Sequence, residues 1–214
     1  FGNSGIGTYI ENLILQYQQL ESDLDFKLLV RKDLISKSDQ FPDFHLKEYN
    51  EKIYSLMEQI KWMTRVDPFG FLHVPHYNAP FFYPGKLVIT VHDVCHIAMR
   101  QFFPGILKRM YSSLFFKRIL VRADHIITVS EFSKSEIIKY FKIHPEKIAV
   151  IYNGVSPLFK PVSQSNSEPV LKHYKLPGEF ILYLGNLKLH KNFKGVVESY
   201  KEACEADSHL PPLV

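Results

Sequence analysis

Residues 86–91 read KLVITV, a nearly unbroken apolar and β-branched run. A strand that is apolar at successive positions, not at every second one, has both faces covered. That is the pattern of a parallel sheet with helices above and below it. The rest of the chain must then supply crossovers, and its periodicity does so. After Gly5-Ile6-Gly7, Ile10, Leu13, Ile14 and Tyr17 recur at helical spacing down to about Leu20. Strands are predicted over 26–30, 45–49, 71–75, 125–129 and 147–152, with helices over 52–63, 107–121 and 131–141. Asp67-Pro68 stops one helix, and Asn153-Gly154 closes the last of these strands. Strands alternating with helices predict an α/β fold with a doubly wound, Rossmann-like parallel sheet over residues 1–155.

The composition then shifts. Residues 156–177, SPLFKPVSQSNSEPVLKHYKLP, are rich in proline and serine and read as a linker. A fresh strand is predicted over 180–184 and a fresh helix over 192–206, so 178–214 reads as the start of a second Rossmann-like domain. One strand and one helix cannot close a core, and a glycine turn leading straight into a helix normally follows a strand. The expectation is therefore of a truncated chain, lacking a first strand and most of the second domain.

The chain has 214 residues, 46% hydrophobic, with a formal net charge of +4. That charge is too small to argue for nucleic acid, and it suits a phosphate-bearing partner. The two cysteines, Cys95 and Cys204, lie far apart with no metal-ligand spacing around them. They read as reduced thiols of a cytoplasmic protein, with no disulfide framework and no metal site. No run reaches the roughly 18 apolar residues of a membrane span.

In open α/β sheets ligands collect beyond the carboxyl ends of the strands, and the candidate chemistry falls there. His92 and Asp93 follow the strand 86–91. A histidine at that rim can donate a hydrogen bond to a sugar hydroxyl or a leaving oxygen near neutral pH. The bland alternative is a loop histidine held by Asp93. His76, Tyr77 and Asn78 follow the strand 71–75 and suit carbohydrate recognition, or else form a buried aromatic loop. Ser130 and Glu131 stand at a strand-to-helix junction, where hydroxyls either bind a ligand or cap the helix. Ser133 and Glu136 have the spacing of a capping box, and Ser130 is the competing cap. Gly2, Gly5 and Gly7 form G-x-x-G-x-G, which either lets backbone approach an anion or makes a tight turn. Gly185, His190, Lys191 and Lys194 gather at the start of the last helix, as a diphosphate clamp or as a solvated cluster.

Two other patterns read as decoys. Asp23-Leu24-Asp25 matches a metal-binding D-x-D but sits at a helix end, as a solvated turn does. Lys108, Arg109, Lys117, Arg118 and Arg122 make the helix 107–121 basic, which permits contact with anionic lipid or simple packing of its apolar face. An epimerase would need Tyr-x-x-x-Lys, yet the residue four after Tyr140 is His144.

Taken in order, GIGTYIENL, HVPHYNAP, VITVHDVCH, ADHIITVSEFSK, KIAVIYNGVSPLF and YLGNLKLHKN resemble the retaining GT-B glycosyltransferases of family four, in particular bacterial mannosyltransferase-like members that build surface polysaccharides. The resemblance implies two facing Rossmann-like domains, the first (1–155) on the acceptor side and the second donor-binding. It implies metal-independent transfer of a hexose from a nucleotide sugar such as GDP-mannose to a glycan or lipid-linked acceptor at the inner membrane face. By the same resemblance, Gly5 and Gly7 form a glycine loop beneath the donor phosphates or the reacting centre, and His92 contacts the donor sugar. Lys191 binds phosphate, and His190 or Asn186 stands where many members carry arginine. His76, Tyr77, Asn78, Asp93, Ser130 and Glu131 are the candidate acceptor-binding residues by their own chemistry and their place at the same rim. The family's E-x7-E motif lies further along than Val214, so the chain by itself is expected to be inactive or nearly so. The alternative function is a non-catalytic carbohydrate- or nucleotide-binding module on the same fold.

Overall fold

The computed structural model describes residues 5–20, 25–32, 44–50, 56–65, 70–99 and 106–214. It divides into two compact units, Phe1–Asn153 and Gly154–Val214.

The first unit is parallel α/β. Helix α1 (Gly5–Gln18) precedes β1 (Lys27–Val30) and β2 (His45–Glu48), which pair in parallel. Helix α2 (Leu56–Arg65) leads to β3 (Phe71–Val74) and β4 (Lys86–Val91). A short α3 (Cys95–Ala98) and the long α4 (Ile106–Arg122) cross over to β5 (His125–Thr128). Helix α5 (Glu131–Phe141) and a 3₁₀ turn (Pro145–Lys147) cross to β6 (Ile148–Val150). Strands β3 to β6 form a four-stranded sheet in sequential order, every pair parallel.

The KLVITV run behaves as its composition predicts: all of β4 after Lys86 is buried. Leu87, Ile89 and Val91 share a face with Ile126 and join one apolar core with Phe116, Ile119 and Leu120 of α4 and Ile137 and Phe141 of α5. The opposite face carries Val88 and Thr90, and alternation puts His73, the register partner of Val88, on that same side. Helix α1 reaches this side, where the Tyr17 hydroxyl lies 3.2 Å from His73 Nδ1. It also packs Ile10, Ile14 and Tyr17 on Phe26, Leu28 and Leu46 of the two-stranded sheet.

At the amino-terminal rim of the sheet, Asp124 locks three elements together. Its carboxylate accepts from Leu87 N at 2.9 Å and pairs with Lys86 at 3.2 Å and Arg122 at 3.3 Å. Arg122 also donates to Tyr83 O and Gly85 O. This part of the basic helix is therefore structural. Lys117 and Arg118 are exposed, and the side chains of Lys108 and Arg109 lie outside the described residues. Of the D-x-D, Asp23 and Leu24 lie outside the described residues. Asp25 pairs with Lys27 at 3.3 Å on the surface.

The second unit departs from expectation in two places. The stretch read as a linker contains helix α6 (Gln164–Tyr174), with Pro169 inside it. Residues 180–184 make a single parallel bridge, Ile181 to Leu213, and not a strand. A strand needs a neighbour along its length, and here only Pro212 and Val214 provide hydrogen bonds: Ile181 N donates to Pro212 O, Tyr183 N to Val214 O and Val214 N to Ile181 O, each at 2.9 Å. The predicted last helix is present as α7 (Phe193–Ala206), after a 3₁₀ turn at Leu189–Lys191.

Candidate active site at the carboxyl rim of the sheet

His92 immediately follows β4, and three different segments hold it. Its Nε2 lies 3.3 Å from Pro75 O, in the loop after β3. The Tyr9 ring of α1 meets the imidazole edge-on, with centroids 4.7 Å apart and planes at 85°. Its backbone carbonyl accepts from Ser133 Oγ of α5 at 3.0 Å. A carbonyl can only accept, so Nε2 carries the proton in the bond to Pro75. In the neutral ring Nδ1 is then an acceptor, and it is the nitrogen left to address a ligand. In this tautomer a neutral His92 suits a hydroxyl that donates to it, and the ring can itself donate at Nδ1 only when protonated.

Asp93 does not hold His92. It is exposed, and its Oδ1 accepts from Cys95 N at 2.9 Å, turning the chain into α3. Ser130 is the N-cap of α5, with extended φ and ψ, and its hydroxyl accepts from Ser133 N at 3.1 Å. Ser133, offered above as a capping-box residue, is not the cap. Its own hydroxyl is buried and relays Ser130 to the His92 carbonyl, since Ser130 Oγ donates to Ser133 Oγ at 3.1 Å. Glu131 is exposed in the first turn of α5 beside Phe132, which is 74% exposed.

The loop after β3 is braced from within. Asn78 Nδ2 donates to the buried Glu58 of α2 at 3.0 Å, and Phe81 N donates to Gln59 Oε1 at 3.2 Å. Tyr77 stacks on His96 and meets Phe116 edge-on, as part of the core. His76 lies against Tyr77 and accepts at Nδ1 from Asn78 N at 3.2 Å. Burial, followed by the positive charge His92 can carry, pushes the His76 pKa down to about 4, against the pull of Asp93. Burial also lowers His96, again opposed by Asp93. His76 is thus a neutral wall of the site near pH 7, and Tyr77 and Asn78 are engaged by the protein itself.

Gly5 is the first residue of α1 and Gly7 lies in its first turn, so both belong to the helix, not to a preceding loop. A Cβ at Gly5 would meet nothing within 4 Å. Packing therefore gives no reason for glycine there. Gly2 lies outside the described residues.

The second unit carries the remaining candidates. Gly185 is exposed, and a Cβ there would come within 2.8 Å of the Tyr183 hydroxyl. His190 and Lys191 sit in the last turn of the 3₁₀ segment that leads into α7. Asn192 follows in the left-handed region with φ of 51°. Lys194 pairs with Glu198 at 3.4 Å, which occupies a cation that the sequence placed in a clamp.

Sequence reasoning missed Tyr9, the relay role of Ser133 and the Pro75 carbonyl. Tyr9 offers one cue, an aromatic two residues past Gly7 at the start of a helix. The other two depend on how β3 and α5 dock and leave no mark in the sequence. Among the described residues, no group of three or more His, Cys, Asp or Glu side chains could hold a metal ion.

A similar set of proteins emerges from comparison. The model for Glycosyltransferase Family 4 matches residues 4–157. O-antigen chain mannosyltransferase B of Escherichia coli is 32% identical over 130 residues, covering 58% of this chain and 34% of that protein. O-antigen chain mannosyltransferase RfbU of Salmonella typhimurium is 30% identical over 115 residues, covering 53% of this chain and 28% of that protein. The chain thus spans about a third of the length of these curated relatives. A crystal structure of a glycosyltransferase from Rickettsia africae aligns with a TM-score of 0.45 and 17% identity, over 84% of this chain and 56% of that one. Because the family model spans more than half of the 214 residues, from the residue before α1 to just past β6, the chain belongs to Glycosyltransferase Family 4.

Proposed function

We propose that this chain serves an enzyme that moves a hexose, mannose in the first instance, from a nucleotide sugar such as GDP-mannose to a glycan or lipid-linked acceptor. In this reading the transfer retains configuration, needs no metal, and takes place at the cytoplasmic face of the inner membrane. Family membership supports the transferase class, and the relatives' names as O-antigen chain mannosyltransferases support the sugar and a polysaccharide product. In this reading contact with the bilayer is peripheral; no helix among the described residues is long and apolar enough to cross a membrane.

The observation that carries the reading is the three-sided hold on His92 at the end of β4. That hold leaves Nδ1 to accept from a hydroxyl of the donor sugar, which fixes the sugar relative to its leaving phosphate. Gly5 and Gly7 at the start of α1 place backbone N–H groups for the donor phosphates. Lys191 and His190, with Gly185, stabilise the diphosphate as negative charge grows on it. Ser130 and Glu131 offer hydroxyl and carboxylate to the acceptor. His76, Tyr77, Asn78 and Asp93 shape that side as walls. The leaving phosphate itself removes the acceptor proton, so no side chain is assigned as general base.

The test is a transfer assay with GDP-, UDP- and ADP-hexoses, with and without EDTA, on a protein that carries this chain together with the family's E-x7-E segment, and on its His92→Ala variant; the 214 residues by themselves are expected to transfer little or nothing. EDTA should leave transfer unchanged. The substitution should lower kcat about tenfold, the loss expected for one hydrogen bond of about 1.4 kcal/mol made in the transition state. If none of the three donor classes yields a glycoside, the proposal fails.

A further inference from the structure

We propose that Tyr17, His73 and Thr90 are positioning residues that act on His92 through Tyr9 and helix α1. The functional meaning of this rests on the assignment of His92 to the donor sugar.

His73 sits between a helix and a strand with both ring nitrogens engaged. Nδ1 lies 3.2 Å from the Tyr17 hydroxyl of α1, and Nε2 lies 2.9 Å from Thr90 Oγ1 of β4. Thr90 is fully buried. These are the described polar contacts by which α1 is keyed to the four-stranded sheet; its other described packing, Ile10, Ile14 and Tyr17 on Phe26, Leu28 and Leu46, is apolar. Apolar contacts are non-directional and tolerate small slides of a helix, whereas a fully paired buried network selects one arrangement. Burial favours the uncharged forms of His73 and Tyr17, lowering the His73 pKa and raising that of Tyr17.

The second contact of α1 with this sheet is at the site itself. Tyr9 lies eight residues before Tyr17, about 12 Å along the helix and about 80° round it. Its ring rests edge-on against His92. His92 follows β4 two residues after Thr90, and its ring meets α1 through Tyr9 as Thr90 meets it through His73 and Tyr17. The helix and the strand therefore form two rails joined at Tyr17–His73–Thr90, and the Tyr9–His92 contact is set by the register of that join.

The experiment follows the His92 ring signals by NMR in full chain labelled at histidine, with His92→Gln identifying them. Thr90→Val removes the hydroxyl at nearly constant shape, Thr90→Ser restores it, and Tyr17→Phe breaks the link from the other side. Thr90→Val and Tyr17→Phe should each move the His92 signals towards their positions in Tyr9→Leu, and Thr90→Ser should return them. Combining Thr90→Val with Tyr9→Leu should add nothing further. His92 signals that stay in place in both Thr90→Val and Tyr17→Phe, with only the melting temperature lowered, overturn the proposal, as do additive shifts in the double variant. The readout needs no substrate. Failure of the transfer assay with the predicted shifts present would sink the assignment of function and leave the positioning device standing.

Discussion

His76 shows how its neighbours decide what a side chain at this rim can do. As sequence it is one of several histidines after a strand; as structure it is a partly buried ring with its pKa pushed down to about 4. In the unfolded chain the same ring titrates near 6.5. Between these two values the unfolded state binds a proton that the folded state refuses, so stability falls as pH falls from about 6.5 to about 4 and changes no further below that. The contribution is at most about 3 kcal/mol. Urea midpoints measured from pH 7.5 to 4 should therefore drop, and His76→Asn should flatten the drop. It should not abolish it, because burial lowers His73 and His96 in the same direction. A His76→Asn protein with an unchanged slope would show that the ring is solvated. At this scale His92 and Ser130 were legible, because strand ends and helix starts are visible as breaks in periodicity. Tyr9 and Ser133 were not, because their contacts with His92 join residues 83 and 41 positions apart.

Helix α5 is the element whose ends carry the clearest expectations. Its N-cap, Ser130, accepts from Ser133 N, so Ser130→Ala should cost about 1 kcal/mol in equilibrium unfolding and free Ser133 from one of its partners. Its C-cap, Lys142, adopts a left-handed conformation with φ of 57°. A side chain there is strained, and glycine is not, so Lys142→Gly should raise stability by about 0.5–1 kcal/mol in the same measurement. If it lowers stability instead, Lys142 makes a compensating contact in the folded state. The Asp124 lock adds an acid-sensitive term. The Leu87 N–H, followed by Lys86 and Arg122, holds the Asp124 pKa below its usual 3.8. Its contribution is present above that value and is lost as pH falls through the folded pKa, so Asp124→Asn should destabilise at pH 7 and much less at pH 2. The long elements could be read from the sequence because their periodicity is dictated by burial on both sides of a sheet. The segment 180–184 could not: an apolar run does not say whether a partner strand exists, and here a single bridge is all that forms.

For the whole molecule, the contrast between the two units is one of burial. In Phe1–Asn153 the sheet is sandwiched, and Leu87, Ile89, Ile119, Leu120, Ile126 and Ile137 are fully buried. In Gly154–Val214, helices α6 and α7 bury no residue, and Leu158, Leu184, Leu187 and Leu189 are each more than 70% exposed. Proline and serine gather just past Asn153-Gly154, where the two units divide. Helix α6 nevertheless forms there with Pro169 inside it, where the lost N–H is one bond of a short, solvent-facing helix. Local stability follows buried apolar contact and not helix content. Amide exchange followed by mass spectrometry should accordingly find β4 and β5 protected to nearly the full unfolding free energy. Peptides from α6 and α7 should exchange through small local openings, at rates that barely respond to Leu87→Ala. That substitution should cost about 2–5 kcal/mol and accelerate exchange across β3 to β6 together. Protection in α6 equal to that in β4, or slowed and lost in step with it, would mean that the two units unfold as one. The exposed leucines of 184–189 would then have to be covered in solution.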